Sequence, residues 1–246
     1  MLGGRKEDVP DPTASDRERP LIVAIDGPAA AGKSTIAAML AGRLGVPYLD
    51  TGAMYRAVGW LALQEGIRQP FGADDSERVV ALLDSHQVRL EPGRNALRVL
   101  VDGREVGEEI RSPEVAMMAS AVSALPAVRR RLVAAQRELG LRSGGVMEGR
   151  DITTVVFPDA ALRVFLTASP EERARRRHQD LGAPDAPSLD EVRRQQQQRD
   201  RQDTTRAESP LHVAEGVIVI DTTGQSPEAV VRRLLEELDR VRATGA

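Results

Sequence analysis

The sequence predicts an α/β fold built on a parallel sheet, and two patterns carry that expectation. The first is a series of short, unbroken apolar runs: LIVAI at 21–25, VPYLD at 46–50, GGVME at 144–148, LRVFLTA at 162–168 and VIVI at 217–220. Runs of this length without polar alternation suit strands buried on both faces of a parallel sheet. The second is the legibility of the helix starts between them. Ser112, Ser169 and Ser226 are each followed by Pro and Glu, giving an N-cap hydroxyl, a proline at the first helical position and a carboxylate near the positive helix end. Ser169 and Ser188 have Glu172 and Glu191 three residues on, the spacing of a capping box. One segment breaks this rhythm. Val88 to Val106 alternates apolar and polar residues around Pro92-Gly93 and Asp102-Gly103, which predicts a small antiparallel meander inserted between helices.

The 246 residues are 41% hydrophobic, enough for the core of one large or two small domains. There is no cysteine, and the three histidines (His86, His178, His212) are scattered, so metal ligands would have to be oxygen. The net charge of -3 gives no global field to hold nucleic acid or an anionic membrane. Phosphate chemistry would therefore be local. No apolar run approaches the roughly 20 residues of a membrane span. The polar opening lacks the apolar stretch of a secretory signal, so a cytoplasmic protein is expected, with residues 1–20 as a solvated, disordered tail. Lysine occurs at Lys6 and Lys33, and arginine supplies the rest of the 34 basic residues. A site that needs a compact, flexible ammonium explains why Lys33 is the exception.

Lys33 lies in Gly27-Pro28-Ala29-Ala30-Ala31-Gly32-Lys33-Ser34, which matches G-x-x-x-x-G-K-S directly after an apolar strand and before an amphipathic helix, Thr35 to Leu44. That is the context of a phosphate-binding P-loop. Its glycines permit angles that turn successive N–H groups inward, the helix N-terminus adds partial positive charge, Lys33 would reach the β and γ phosphates, and Ser34 would ligate Mg²⁺. Guanine-specific GTPases need Asn-Lys-x-Asp, whereas the one asparagine, Asn95, precedes Ala. Asp221 to Gly224 fits D-x-x-G but lies too late for a switch element and reads as a strand-end turn. A small kinase remains.

GPAAAGKST, LDTGAMYR, EGRDITTVVFPDA and RDRQDTTRAESPL resemble, in order and spacing, the bacterial cytidylate kinases of the P-loop nucleoside monophosphate kinases, from about Leu21 to the C-terminal helix. The resemblance implies a three-layer P-loop α/β fold with a five-stranded parallel sheet. Within it, the core would comprise 21–60, 112–170 and 207–246, with an antiparallel NMP-binding insert over about 61–111 and a helical lid over about 171–206. It implies phosphoryl transfer from Mg²⁺·ATP to CMP or dCMP, with small-molecule substrates, no nucleic-acid or membrane partner, and a monomer. Thr51, Tyr55 and Arg56 would line the acceptor. Ser120, Arg129 and Asp151 would read the cytosine ring, and Arg150 would hold the acceptor phosphate. In R-x-x-x-D-x-x-R, Asp203 would bind a ribose hydroxyl, and Arg199 and Arg206 the sugar or phosphate. Lys33, Arg56, Arg150 and Arg206 would supply the catalytic electrostatics.

The helix EERARRRHQD places Arg173, Arg176 and Arg177 on one face, with Glu171 and Glu172 spaced to pair with Arg175 and Arg176. Either this is a solvated surface or a lid arginine, Arg176 foremost, reaches phosphate on closure. Gln195 to Gln198 reads as a polar face without function. Glu148 and Thr204-Thr205 depart from the family pattern. A kinase of another small acceptor, or an NTP-dependent switch whose Arg-rich hairpin contacts RNA, are the rival readings. The net negative charge and few aromatics count against RNA.

Overall fold

The computed structural model describes residues 20–92, 97–182, 187–206 and 208–244. The expected tail lies outside the described residues but for Pro20, as do Gly93 of the first meander turn and residues 183–186 of the Pro-rich loop. In chain order the elements are β1 (Ile22–Asp26), α1 (Lys33–Leu44), β2 (Tyr48–Asp50), α2 (Gly52–Gln64), α3 (Asp75–Ser85), β3 (Val88–Pro92), β4 (Leu97–Val101) and β5 (Arg104–Glu105). A 3₁₀ turn, Glu109–Arg111, leads to α4 (Pro113–Ser123), α5 (Pro126–Ser143) and β6 (Gly145–Gly149). A π-helical turn over Ile152–Val156 precedes β7 (Leu162–Thr167), α6 (Pro170–Leu181), α7 (Leu189–Thr205), β8 (Ile218–Asp221) and α8 (Pro227–Thr244).

All five expected strands form one sheet in the order β2-β6-β1-β7-β8, with every neighbouring pair parallel. Their carboxyl ends therefore share one edge, and the crossover from β1 to β2 runs across the sheet in the opposite direction to that from β6 to β7, which opens a crevice at the end of β1. Period-two alternation divides the core. Val23 and Ile25 pack with Ile36, Leu40, Leu234 and Leu238 on the α1–α8 face. Ile22 and Ala24 face the other way, toward a larger cluster from α2, α4, α5 and the meander. Helix, sheet and helix make three layers. Burial on both faces holds for β1, where every residue is buried, but not for β8, an edge strand whose Val219 is 46% exposed. The meander is antiparallel. Its second turn has both Asp102 (φ 51°) and Gly103 (φ 80°) left-handed, the conformation whose twist suits a two-residue hairpin.

The three Ser-Pro-Glu caps form: Ser112, Ser169 and Ser226 hydroxyls accept from the amides of Val115, Glu172 and Ala229 at 3.2 Å. The reciprocal half of the box exists at Ser188 and Glu191 but not at Ser169. There the Glu172 carboxylate is drawn away by Arg175 and Arg176, both at 2.8 Å, and the Ser169 amide donates to Thr223 Oγ1 instead. Two guanidinium groups outcompete one neutral amide. Glu171, expected to pair with Arg175, reaches across to Arg193 of α7 at 3.0 Å. Gln196 corrects the reading of a purely polar face: it is buried, and its amide donates to Arg173 O at 3.2 Å, tying α7 to α6. Among the described residues no helix is long and apolar enough to cross a membrane.

Helices α2 and α4 meet at Gly59, where an added Cβ would lie 2.9 Å from the Ala119 backbone nitrogen. Backbone cannot give way as a side-chain tip does, so Gly59→Val is expected to destabilise the protein by about 2 kcal/mol. The check is a lower urea midpoint at unchanged slope.

Candidate active site

The P-loop turns at the sheet's carboxyl edge because its backbone departs from ordinary angles at three places. Gly27 has φ 148° and Gly32 φ 88°. A Cβ on Gly27 would sit 2.0 Å from Leu166 O, so only glycine fits against β7. Ala30 is also left-handed at φ 58°, a cost of about 1 kcal/mol that the surrounding contacts hold in place. Two of these contacts pull loop carbonyls outward. Arg173 donates to Ala29 O at 3.3 Å, and the Thr222 hydroxyl lies 3.1 Å from Ala31 O. In a trans peptide the next N–H points the opposite way, so those of Ala30 and Gly32 face away from these side chains. Helix α1 begins at Lys33, earlier than the expected Thr35. Ser34 and Thr35 are exposed on its first turn.

Lys33 is buried, and its ammonium donates to Pro28 O at 2.8 Å. Burial, then the nearby Arg150 and Arg199 charges, push its pKa down to about 7, while Glu148 and Asp26 work against the shift. Glu148, on β6, is buried and accepts from the Tyr48 hydroxyl at 2.5 Å. Arg199 is pushed down to about 10 by burial and by Arg150, Arg177 and Arg56, against the pull of Asp203. The Arg199 Nε is buried with no hydrogen-bond partner. Arg150 donates to Asp203 Oδ2 at 3.0 Å, and Arg206 Nη1 lies 3.8 Å from Asp203 Oδ1. Burial raises the Asp203 carboxyl, but Arg150, Arg199 and Arg206 outweigh it and hold it below the usual carboxylate range. One acid stands among several bases.

A second group adjoins the first. Arg129 and Asp151 form a buried ion pair. The Arg129 guanidinium also donates to Ser123 O at 3.1 Å and lies 5.6 Å from the centre of the Tyr55 ring. Burial pushes the Tyr55 hydroxyl up to about 12, with Asp151 adding to the effect and Arg129 and Arg206 opposing it. Arg206 feels Arg129, Asp151 and Asp203 together, which places it between the two groups. Its Nε donates to Ser209 O at 2.6 Å, and its Nη2 is buried without a partner.

A glycine-lined loop at a helix N-terminus, joined to a cluster rich in basic side chains at the carboxyl end of a parallel sheet, is the arrangement of a phosphate-binding α/β site. The chain belongs to the cytidylate kinase family, whose model matches residues 23–240. It is 47% identical over 219 residues to the cytidylate kinase of Carboxydothermus hydrogenoformans, which covers 89% of this chain and 97% of that protein. It is 48% identical over 228 residues to a bifunctional pantoate ligase/cytidylate kinase of Synechococcus sp., covering 91% of this chain and 42% of the relative. The chain thus spans less than half the length of such bifunctional relatives. An uncharacterized protein from Eubacterium ventriosum superposes with a TM-score of 0.51 at 11% identity, over 90% of this chain and 99% of that one, and so shares the fold.

The residues singled out from sequence fall into three sets. Lys33, Arg56, Arg150, Arg199, Asp203 and Arg206 influence one another directly, as do Tyr55, Arg129, Asp151 and Arg206. The rest hold structural bonds. Thr51 is buried, and its hydroxyl donates to Glu148 O at 2.7 Å. Ser120 donates to Gln202 Oε1 at 3.1 Å, joining α4 to α7. Arg56 of the first set is also tied down, paired with Asp50 at 2.7 Å. Arg176 lies near Gly32, but its guanidinium is bonded to Glu172 and to Thr222. Arg173 is buried against Asp200 at 2.7 Å. Sequence reasoning missed Asp26, Tyr48, Asp200 and Thr222. A carboxylate closing the apolar run IVAI was a usable signal for Asp26, whereas nothing local distinguishes Thr222 within its turn.

A polyphosphate beside Lys33 restores its charge, so binding takes up a proton wherever the free site is neutral. At pH 8, calorimetric titration with ATP in buffers of different ionisation enthalpy should report uptake of about one proton. Affinity should fall as pH rises above 7. Lys33→Met should abolish the uptake, and no uptake by the parent protein would contradict this assignment.

Proposed function

We propose that the chain transfers the γ-phosphoryl group of ATP to the phosphate of CMP or dCMP, forming ADP and CDP or dCDP. The observation that carries this reading is the line of charged side chains from Lys33 to Arg150 and Arg199, through Asp203, on which Arg150 and Arg206 both sit, to the Asp151–Arg129 pair over Tyr55. The first part of that run suits a line of phosphates. The last suits a base that offers an amino donor and two acceptors, which cytosine does and uracil does not.

The acceptor phosphate oxygen is itself the nucleophile. It forms a bond to the γ-phosphorus as the bond from that phosphorus to the β–γ bridging oxygen breaks, and ADP leaves with the electron pair. No catalytic base is needed, and the protein supplies alignment and charge. Lys33 and the P-loop amides hold the donor, Arg56 and Arg150 hold the acceptor phosphate, and Arg199 and Arg206 neutralise charge developing between them. Asp203 orients these arginines and can accept from a ribose hydroxyl. For Mg²⁺, among the described residues no three His, Cys, Asp or Glu side chains converge. The exposed Ser34 hydroxyl at the start of α1 suits a hard cation that the nucleotide phosphates also ligate, where it would neutralise phosphate charge.

Arg177 is the candidate lid arginine. Unlike Arg173 and Arg176 it makes no hydrogen bond or ion pair among the described residues, and it contributes to the charge felt by Arg199. In this reading 61–111 forms the acceptor-binding insert and 171–206 the lid, which close together and exclude water. A cytoplasmic monomer completes the proposal.

An ADP-release assay with CMP, dCMP, UMP and AMP tests the assignment. CMP and dCMP should be preferred, and Asp151→Ala should raise the KM for CMP about 100-fold or more while the KM for ATP changes less than about twofold. Faster transfer to AMP or UMP, or an unchanged KM for CMP in the variant, would overturn it. Arg177→Ala should lower kcat about 10-fold or more with CMP affinity intact.

A further inference from the structure

Asp26 is fully buried, and its one effect on the groups described above is to favour the charged form of Lys33. It ends β1, and its backbone runs directly into Gly27 of the cradle. Its Oδ1 accepts from the Ile152 amide at 2.9 Å, and its Oδ2 accepts from the Thr153 amide at 2.7 Å and the Thr153 hydroxyl at 2.6 Å. These donors follow immediately after Arg150 and Asp151. The backbone pairing of β1 with β6 stops at Asp26 opposite Gly149. Beyond that point the Asp26 side chain takes over from the sheet as the tie between two loops.

The tie is rigid at both ends. Ile152 and Thr153 open the π-helical turn, whose first amides have no partner within the turn. At its far end the carbonyls of Val155 and Val156 accept from Arg137 at 2.6 and 3.1 Å. Thr153 is itself fully buried. Burial raises the Asp26 pKa, and the three hydrogen bonds oppose that rise. A buried carboxylate is a costly way to join two loops when apolar packing would serve. What a carboxylate adds is direction, because its two oxygens fix the turn at defined distances from β1.

We propose that Asp26 is a positioning residue that sets the separation between the P-loop and the acceptor-binding pair Arg150 and Asp151, so that the two nucleotides meet at transfer distance. This inference rests on the function proposed above. Two near-isosteric variants test it. Asp26→Asn turns one acceptor into a donor facing other donors, and Thr153→Val removes one of the three bonds while keeping the shape. A displacement near 1 Å can cost about 100-fold. In Asp26→Asn the kcat/KM for CMP should fall about 10- to 100-fold, and calorimetric CMP affinity should fall with it. ADP should also form in excess of CDP, because a misplaced acceptor lets water compete. In Thr153→Val, which leaves the Asp26 charge near Lys33 in place, the KM for ATP should stay within about twofold. Thr153→Val should move each quantity the same way by less, and the double variant should lose less than the product of the single losses, since both break one contact.

A residue that merely held the fold would lower the urea midpoint in both variants while leaving CMP affinity and the one-to-one ratio of ADP to CDP at parental values. That result overturns the inference. If Asp26→Asn does not fold, parental CMP affinity and ratio in Thr153→Val overturn it alone. A parent protein that makes no CDP from CMP overturns instead the functional assignment and the substrates named with it.

Discussion

Positive charge crowded onto the carboxyl edge of the parallel sheet is the constraint on which the site depends. Lys33, Arg150, Arg199 and Arg206 gather there around Asp203, with Glu148 and Asp26 beside Lys33, and burial and then repulsion from Arg150 hold Lys33 and Arg199 below their ordinary pKa values. Like charges in a site of reduced dielectric repel strongly. Their assembly therefore stores unfavourable energy, which in the function proposed above a chain of phosphates would release.

The architecture accounts for how such a cluster is held. Parallel strands deliver Asp26, Asp50 and Glu148 to one edge, and each of the three carries a different tie. Asp50 pairs with Arg56, Glu148 with Tyr48, and Asp26 with the turn that follows Arg150 and Asp151. From the other side α6 is clasped to the P-loop through Arg173 and, by way of Thr222, through Arg176. Two of the three arginines expected on one face of α6 thus hold the loop's shape, whereas Arg177 makes no hydrogen bond or ion pair among the described residues.

Much of this was legible in the chain, because the signals are local. Five apolar runs specified the sheet, and serine–proline steps specified the starts of α4, α6 and α8. The spacing of the phosphate-binding motif located the cradle. What was not legible depends on competition between local signals or on partners far along the chain. Glu172 has the spacing both of a capping residue and of a partner for Arg176, and the arginines win it. Gln196 lies in a run of four glutamines, and only the packing of α7 on α6 decides that it is the buried one. Thr222 matters because β8 ends beside the P-loop, a neighbourhood set by the strand order. The left-handed angle at Ala30 has no sequence signature, since alanine gives no hint of it.

The stored repulsion is most directly tested by replacing Arg199, whose buried Nε lacks a partner, with methionine, which fills similar space without charge. In urea denaturation without ligand, Arg199→Met should be at least as stable as the parent protein, while the added stability conferred by ATP and CMP together should be largely lost. A variant less stable than the parent by more than about 1 kcal/mol, with ligand stabilisation retained, would show that the cluster is held together by its own contacts and does not await phosphate.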